Sequence, residues 1–182
     1  QENSKLFRPT LYDLISHNAL SFYKTDENSI TKPAYKFQID NADYLSDAKT
    51  FAQLNITSKD STSLQLHALK IYKNLIDFHQ KQPFQLADVD IERLLFVYQH
   101  ATFDDKDDQL LTTLKASSAE WNAHEVSGLY DFEIASLYRT QGQTYQPKTN
   151  EATRWKLKES MALCDVIISR FPNSVAAEKS KA

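Results

Sequence analysis

The chain has 182 residues, 41% apolar and 12% aromatic, which suits a folded domain or compact array with its own core and excludes a disordered chain. Its 21 basic and 24 acidic residues leave a net charge of −3, and no Lys/Arg cluster stands out, which excludes a nucleic-acid footprint. No apolar run approaches the roughly 20 residues that a bilayer span needs, and Cys164, the only cysteine, excludes an internal disulfide.

In chain order, residues 1–9 read as a linker, and the opening QENSKLFRPT lacks the apolar stretch of a signal peptide. Thr10 is a helix cap, followed at helical spacing by Leu11, Leu14, Ile15, Ala19 and Phe22 in a helix running to about Lys24. TDENSITKPAY is a polar loop with Pro33 near its end. A second helix is expected from Ala42 to Leu54 with Leu45, Ala48 and Ala52 inward, and Asp60 or Ser61 caps the next. That third helix carries a wide stripe of Leu64, Ala68, Ile71, Tyr72, Leu75, Phe78 and His79. Pro83 ends the connection to a fourth helix, expected from about Asp88 to Ala101 with Ile91, Leu94, Leu95 and Tyr98 inward.

A fifth helix opens near Asp107 and uses Leu110, Leu111, Leu114 and Trp121. Asn122 and Glu125 have the spacing of a capping box, so a sixth helix follows through Leu129, Phe132, Ala135 and Leu137 to Gln141. Gly142 is its expected stop. A seventh helix spans Glu151 to Arg170 with Leu157, Met161, Cys164, Ile168 and Phe171 buried, and RFPNS hands over to the start of an eighth at Val175. With only two glycines, where a chain of this length carries about a dozen, tight β turns are disfavoured. The expected fold is all-α: an irregular array of about seven to eight helices in antiparallel helix-turn-helix pairs. It forms one domain over 1–182, irregular over 10–121 and tetratricopeptide-like over 122–182. The unfinished last helix implies a fragment of a longer chain, because repeat units contact mainly their neighbours.

Chemistry-bearing residues are sparse. Asp104, Asp105 and Asp108 fit the Asp-Asp-x-x-Asp pattern with which isoprenoid synthases hold magnesium and diphosphate. The second motif of such enzymes is not evident, and the acids also suit the start of a helix, so a solvated loop without metal is the reading. His17, His67, His79, His100 and His124 form neither a His-x-x-x-His pair nor His-Glu-x-x-His. Cys164 reads as a buried inert thiol, and Asn55-Ile56-Thr57 is a formal glycosylation triplet. No nucleophile elbow or phosphate-binding glycine loop occurs. The aromatics, among them Tyr12, Phe22, Phe78 and Tyr138, are expected in the core, with a peptide groove as the alternative for some. No catalytic, cofactor-binding or metal-binding residue is assigned, and the chain reads as noncatalytic.

RPTLYDLISHNALSFY resembles a segment in the N-terminal helical part of large bacterial alpha-2-macroglobulin-family proteins, with Pro9, Thr10, Leu11, Tyr12, Asp13, Ala19, Leu20 and Phe22 matching. DSTSLQLHALKIYKNLIDFHQ, ADVDIERLLFVYQHA and a pair ending in RFPNS keep the same order. Full-length members are secreted or periplasmic protease traps, many with a reactive thioester. The thioester pattern is absent here, since Asp165, Val166 and Ile167 follow Cys164. The resemblance implies a helical accessory region of a broad-spectrum endopeptidase inhibitor, periplasmic or at the cell surface. The role it implies is to space the body from a membrane anchor or to bind a partner, with the rest of its own chain, another protein or a target protease as the expected partners. The alternative is a free-standing periplasmic module that binds protein or glycan.

Overall fold

A computed structural model describes residues 4–25 and 35–182. Among these, secondary structure is helical: α1 (Ser4–Phe7), α2 (Leu11–Tyr23), a 3-10 turn (Ala42–Leu45), α3 (Ala48–Gln53), α4 (Leu64–His79), α5 (Pro83–His100), α6 (Lys106–Glu120), α7 (Ser127–Gln143), α8 (Lys156–Arg170) and α9 (Val175–Lys181). Two isolated bridges, Ile39 with Ala101 and Gln146 with Asn150, are the extended pairings among the described residues. The expected polar loop lies, from Asp26 to Ala34, outside the described residues. The chain forms two compact units, Gln1–Leu110 and Leu111–Ala182.

In the first unit α2, α4 and α5 run antiparallel in succession. Tyr12 meets Phe78 and Tyr23 meets His67 across α2 and α4. Gln65 meets His100 and Tyr72 meets Phe96 across α4 and α5. The core is Leu20, Ile39, Leu45, Phe51, Leu66, Leu69, Tyr72, Leu75, Ile76 and Leu94. Arg93 is wholly buried at its edge. It pairs with Asp90, donates to the carbonyls of Tyr44 (2.7 Å) and Ser46 (2.8 Å), and lies over the Phe51 ring. Arg93 thereby ties the 3-10 turn to α5.

In the second unit α7 and α8 form an antiparallel hairpin, and α9 returns against both. Both glycines of the chain sit in α7 at these seams. A Cβ on Gly142 would stand 2.7 Å from Leu157 Cγ and 2.8 Å from its backbone nitrogen, and one on Gly128 would stand 3.1 Å from Ala176 Cβ. Ser160 Oγ donates to the Ala135 carbonyl at 2.7 Å, closing the α7–α8 seam with small residues.

Several expectations are corrected. The linker 1–9 contains α1. The helix expected over Ala42–Leu54 breaks at Ser46, because Asp47 caps α3 by accepting from the Thr50 backbone. Ser63 caps α4 instead of Asp60 or Ser61; Asp60 is buried and accepts from the Phe37 backbone. Pro83 does not precede the fourth helix but opens it, at the position where a missing N–H costs nothing. Trp121 lies beyond α6, and Asn122 caps nothing: its carbonyl and side-chain oxygens accept from Arg170, and α7 starts five residues later at Ser127. Gly142 is a close-approach residue inside α7, not its stop. On α8 the buried residues are Ser160 and Ile167, whereas Leu157 and Met161 are exposed.

Candidate interaction surface

The largest departure from the expected faces is α2. Thr10 and Asp13 form a reciprocal capping box at its start. Asp13 is fully buried, and its other oxygen accepts from His79 Nε2 at 2.6 Å; the second ring nitrogen of His79 faces Gln82 at 2.5 Å. One turn on, His17 Nδ1 stands 3.3 Å from Glu92 of α5. Glu92 also receives Lys24 at 2.6 Å and Arg8 at 3.2 Å, while Arg8 reaches Asp88 at 2.9 Å. Burial alone would raise the Glu92 carboxyl, but the His17 and Lys24 contacts outweigh it and hold it at about 2. Asp13 is lowered in the same manner: burial opposes, and Thr10 and His79 prevail. The Tyr72 hydroxyl, buried beside Glu92, is pushed up, first by burial and then by that carboxylate.

α2 is therefore seated by a polar inner face, with Leu20 as its fully buried apolar anchor. Its apolar stripe points outward: Leu11 is 69% exposed, Leu14 58%, Ile15 60% and Phe22 62%. The adjoining Tyr12 and Phe78, in edge contact at 4.9 Å, are exposed as well. The expected core placement of Phe22, Tyr12 and Phe78 is thus overturned. The physical reason is that Asp13 finds His79, and His17 finds Glu92, only on the inner side, and a paired carboxylate tolerates burial that an unpaired one does not.

The second unit carries a shallow groove of about 430 Å³ lined by the apolar Ile134, Tyr138, Ala162, Leu163 and Val166 and the charged Lys115, Asp131 and Glu159. Lys156 Nζ lies 4.1 Å from the Tyr138 ring centre and pairs with Glu159 at 2.9 Å. Asp131 is taken up by Ser118 at 2.6 Å and Arg170 at 3.7 Å.

Other sequence candidates do not converge. Asp104, Asp105 and Asp108 are exposed around the start of α6, with Asp105 at φ 59°. Their neighbour Asp107 accepts from Tyr98, whose hydroxyl is pushed up to about 12 by burial and by that carboxylate. Among the described residues, no group of three or more His, Cys, Asp and Glu is placed to hold a metal ion. Each histidine has a local neighbour: His67 meets the Ser61 carbonyl, His100 meets Gln65, and His124 accepts from the Val126 backbone. Cys164 is half-buried, not buried. Asn55 is exposed after α3. No helix among the described residues is long and apolar enough to cross a membrane.

Sequence reasoning missed Glu92 and Arg93. A signal for the α2 anchor was present, since Asp13 and His17 stand four apart on the side opposite the stripe, and Thr10-x-x-Asp13 is a capping spacing. No family model, no curated protein and no solved structure matches the chain.

Proposed function

We propose that this chain is a noncatalytic helical interaction domain whose principal docking face is the outer side of α2. The observation that carries the reading is the outward stripe of Leu11, Leu14, Ile15 and Phe22 on a helix held from behind by the Asp13–His79 and His17–Glu92 contacts and the Lys24–Glu92 ion pair. A stripe of that size left in water is costly, at roughly 25 cal/mol per Å² of apolar surface, and such patches mark docking sites. The domain is read as the helical accessory part of a longer, bacterial alpha-2-macroglobulin-like chain, outside the cytoplasm, whose full-length relatives trap proteases. What supports this is the sequence resemblance, whose quoted segments coincide with α2, α4, α5 and the α7–α8 pair. The tetratricopeptide-like character of the last three helices belongs to the same proposal. A second reading, a free-standing protein- or glycan-binding module, is favoured by the groove of the second unit with exposed Trp155 close by at the N-cap of α8.

A photoreactive phenylalanine analogue placed at Ile15 in the producing cell tests the docking reading. An adduct to one polypeptide identified by mass is expected, weakened by Leu14→Glu and absent when the probe replaces exposed Lys81. No adduct at position 15 above the Lys81 background would contradict it.

A further inference from the structure

We propose that α2 pairs with α2 of a second copy of this chain, antiparallel about a two-fold axis at the middle of the helix. The proposal rests on the reading of α2 as a docking face and names the occupant.

Between Leu11 and Tyr23 the ionisable carboxylate and imidazole, Asp13 and His17, are both turned inward and buried. The outer face accordingly carries no charge along its spine of Leu11, Ile15, Asn18 and Phe22. A charged partner finds no counter-charge there. Of the basic residues that bracket α2 among the described residues, Arg8 and Lys24 are taken up by Asp88 and Glu92 and do not offer a lipid surface the free basic flank that interfacial helices present. A second uncharged stripe is the complementary surface.

Two-fold symmetry demands that the stripe complement itself, and its order does. Turned about the point between Ser16 and His17, Leu11 of one protomer meets Phe22 of its partner, and Ile15 meets Asn18. Leu14 from both copies closes one edge, and the small Ala19 from both leaves room along the other. The Phe22 ring reaches the edge where Tyr12 and Phe78 already stack. The two Asn18 residues come about 4.5 Å apart along the helix axis, within reach of an amide–amide hydrogen bond. A lone polar residue in an apolar helix seam specifies register in this way. The four exposed side chains and Tyr12 offer roughly 500 Å² per copy, so the pair covers at most about 1,000 Å², the lower bound for a specific interface. A weak, reversible dimer is the corresponding expectation.

Sedimentation equilibrium of the full chain from about 5 to 300 µM reads this directly. A reversible monomer–dimer equilibrium is expected, weakened at least tenfold by Ile15→Asp with helical circular dichroism retained; Leu14→Glu is the second variant should Ile15→Asp unfold. In a Cys164→Ala background, a mixture of Leu11→Cys and Phe22→Cys chains should oxidise to the mixed disulfide in preference to either like-with-like product. A monomer throughout, a dimer indifferent to both substitutions, or like-with-like disulfides would overturn the proposal. A monomer whose position 15 still cross-links to a different polypeptide sinks the second copy and leaves the docking reading standing. A monomer with no adduct removes both.

Discussion

Glu92 concentrates the electrostatics that seat α2. One carboxylate, four-fifths buried, is shared by His17, Lys24 and Arg8. Its folded pKa of about 2 lies below the ordinary 4.5, so its stabilisation is present above about pH 4.5 and fades as pH falls toward 2. The full linkage is on the order of 3 kcal/mol, and Asp13, also lowered, acts in the same direction below 3.8. Urea unfolding at pH 7, 4.5, 3 and 2 should show wild-type stability dropping across the acid range. Glu92→Gln should be less stable at pH 7 and should lose less between pH 4.5 and 2. An acid slope identical in the two proteins would show that Glu92 is not linked to folding.

At the scale of elements, the helix start at Thr10 was legible from its cap, whereas Ser63, which caps the widest apolar stripe, was passed over for Asp60 or Ser61. Faces were less legible. Periodicity shows that a helix has two sides, but it does not say which turns inward when the polar side can be satisfied by partners far along the chain. Asp13 meets His79 across 66 residues, and His17 meets Glu92 across 75, so neither pairing leaves a local trace. On α8 a different cause operated. The α7–α8 seam sets Ser160 against Ala135 and Leu157 against Gly142; Leu157 covers the glycine yet stays half exposed, and Met161 lies outside the seam. Gly142→Ala tests this seam. Alanine favours a helix interior over glycine by about 1 kcal/mol. Here its Cβ would meet the Leu157 backbone nitrogen at 2.8 Å, which cannot yield by a rotamer change. Overpacking of about 1–3 kcal/mol should outweigh the gain, lowering stability in chemical denaturation. A stabilised variant would show that the two helices stand farther apart.

At the scale of the molecule, the all-α class followed from two glycines and helical periodicity, and the helix order matches from α2 to α9. The candidate surface did not follow, because its defining property is the side on which the partners of Asp13 and His17 lie. The central claim is that α2 is seated by its polar face and docks by its apolar one. The most direct measurement places the same charge on each side of the helix and compares unfolding free energies at about 2 µM, where a weak pair is dissociated. Ile15, 60% exposed, should accept aspartate with a change of about 0.5 kcal/mol or little more. Leu20→Asp, at a fully buried position, should cost more than about 4 kcal/mol or abolish folding. Equal losses at the two positions, or a larger loss at Ile15, would contradict the account.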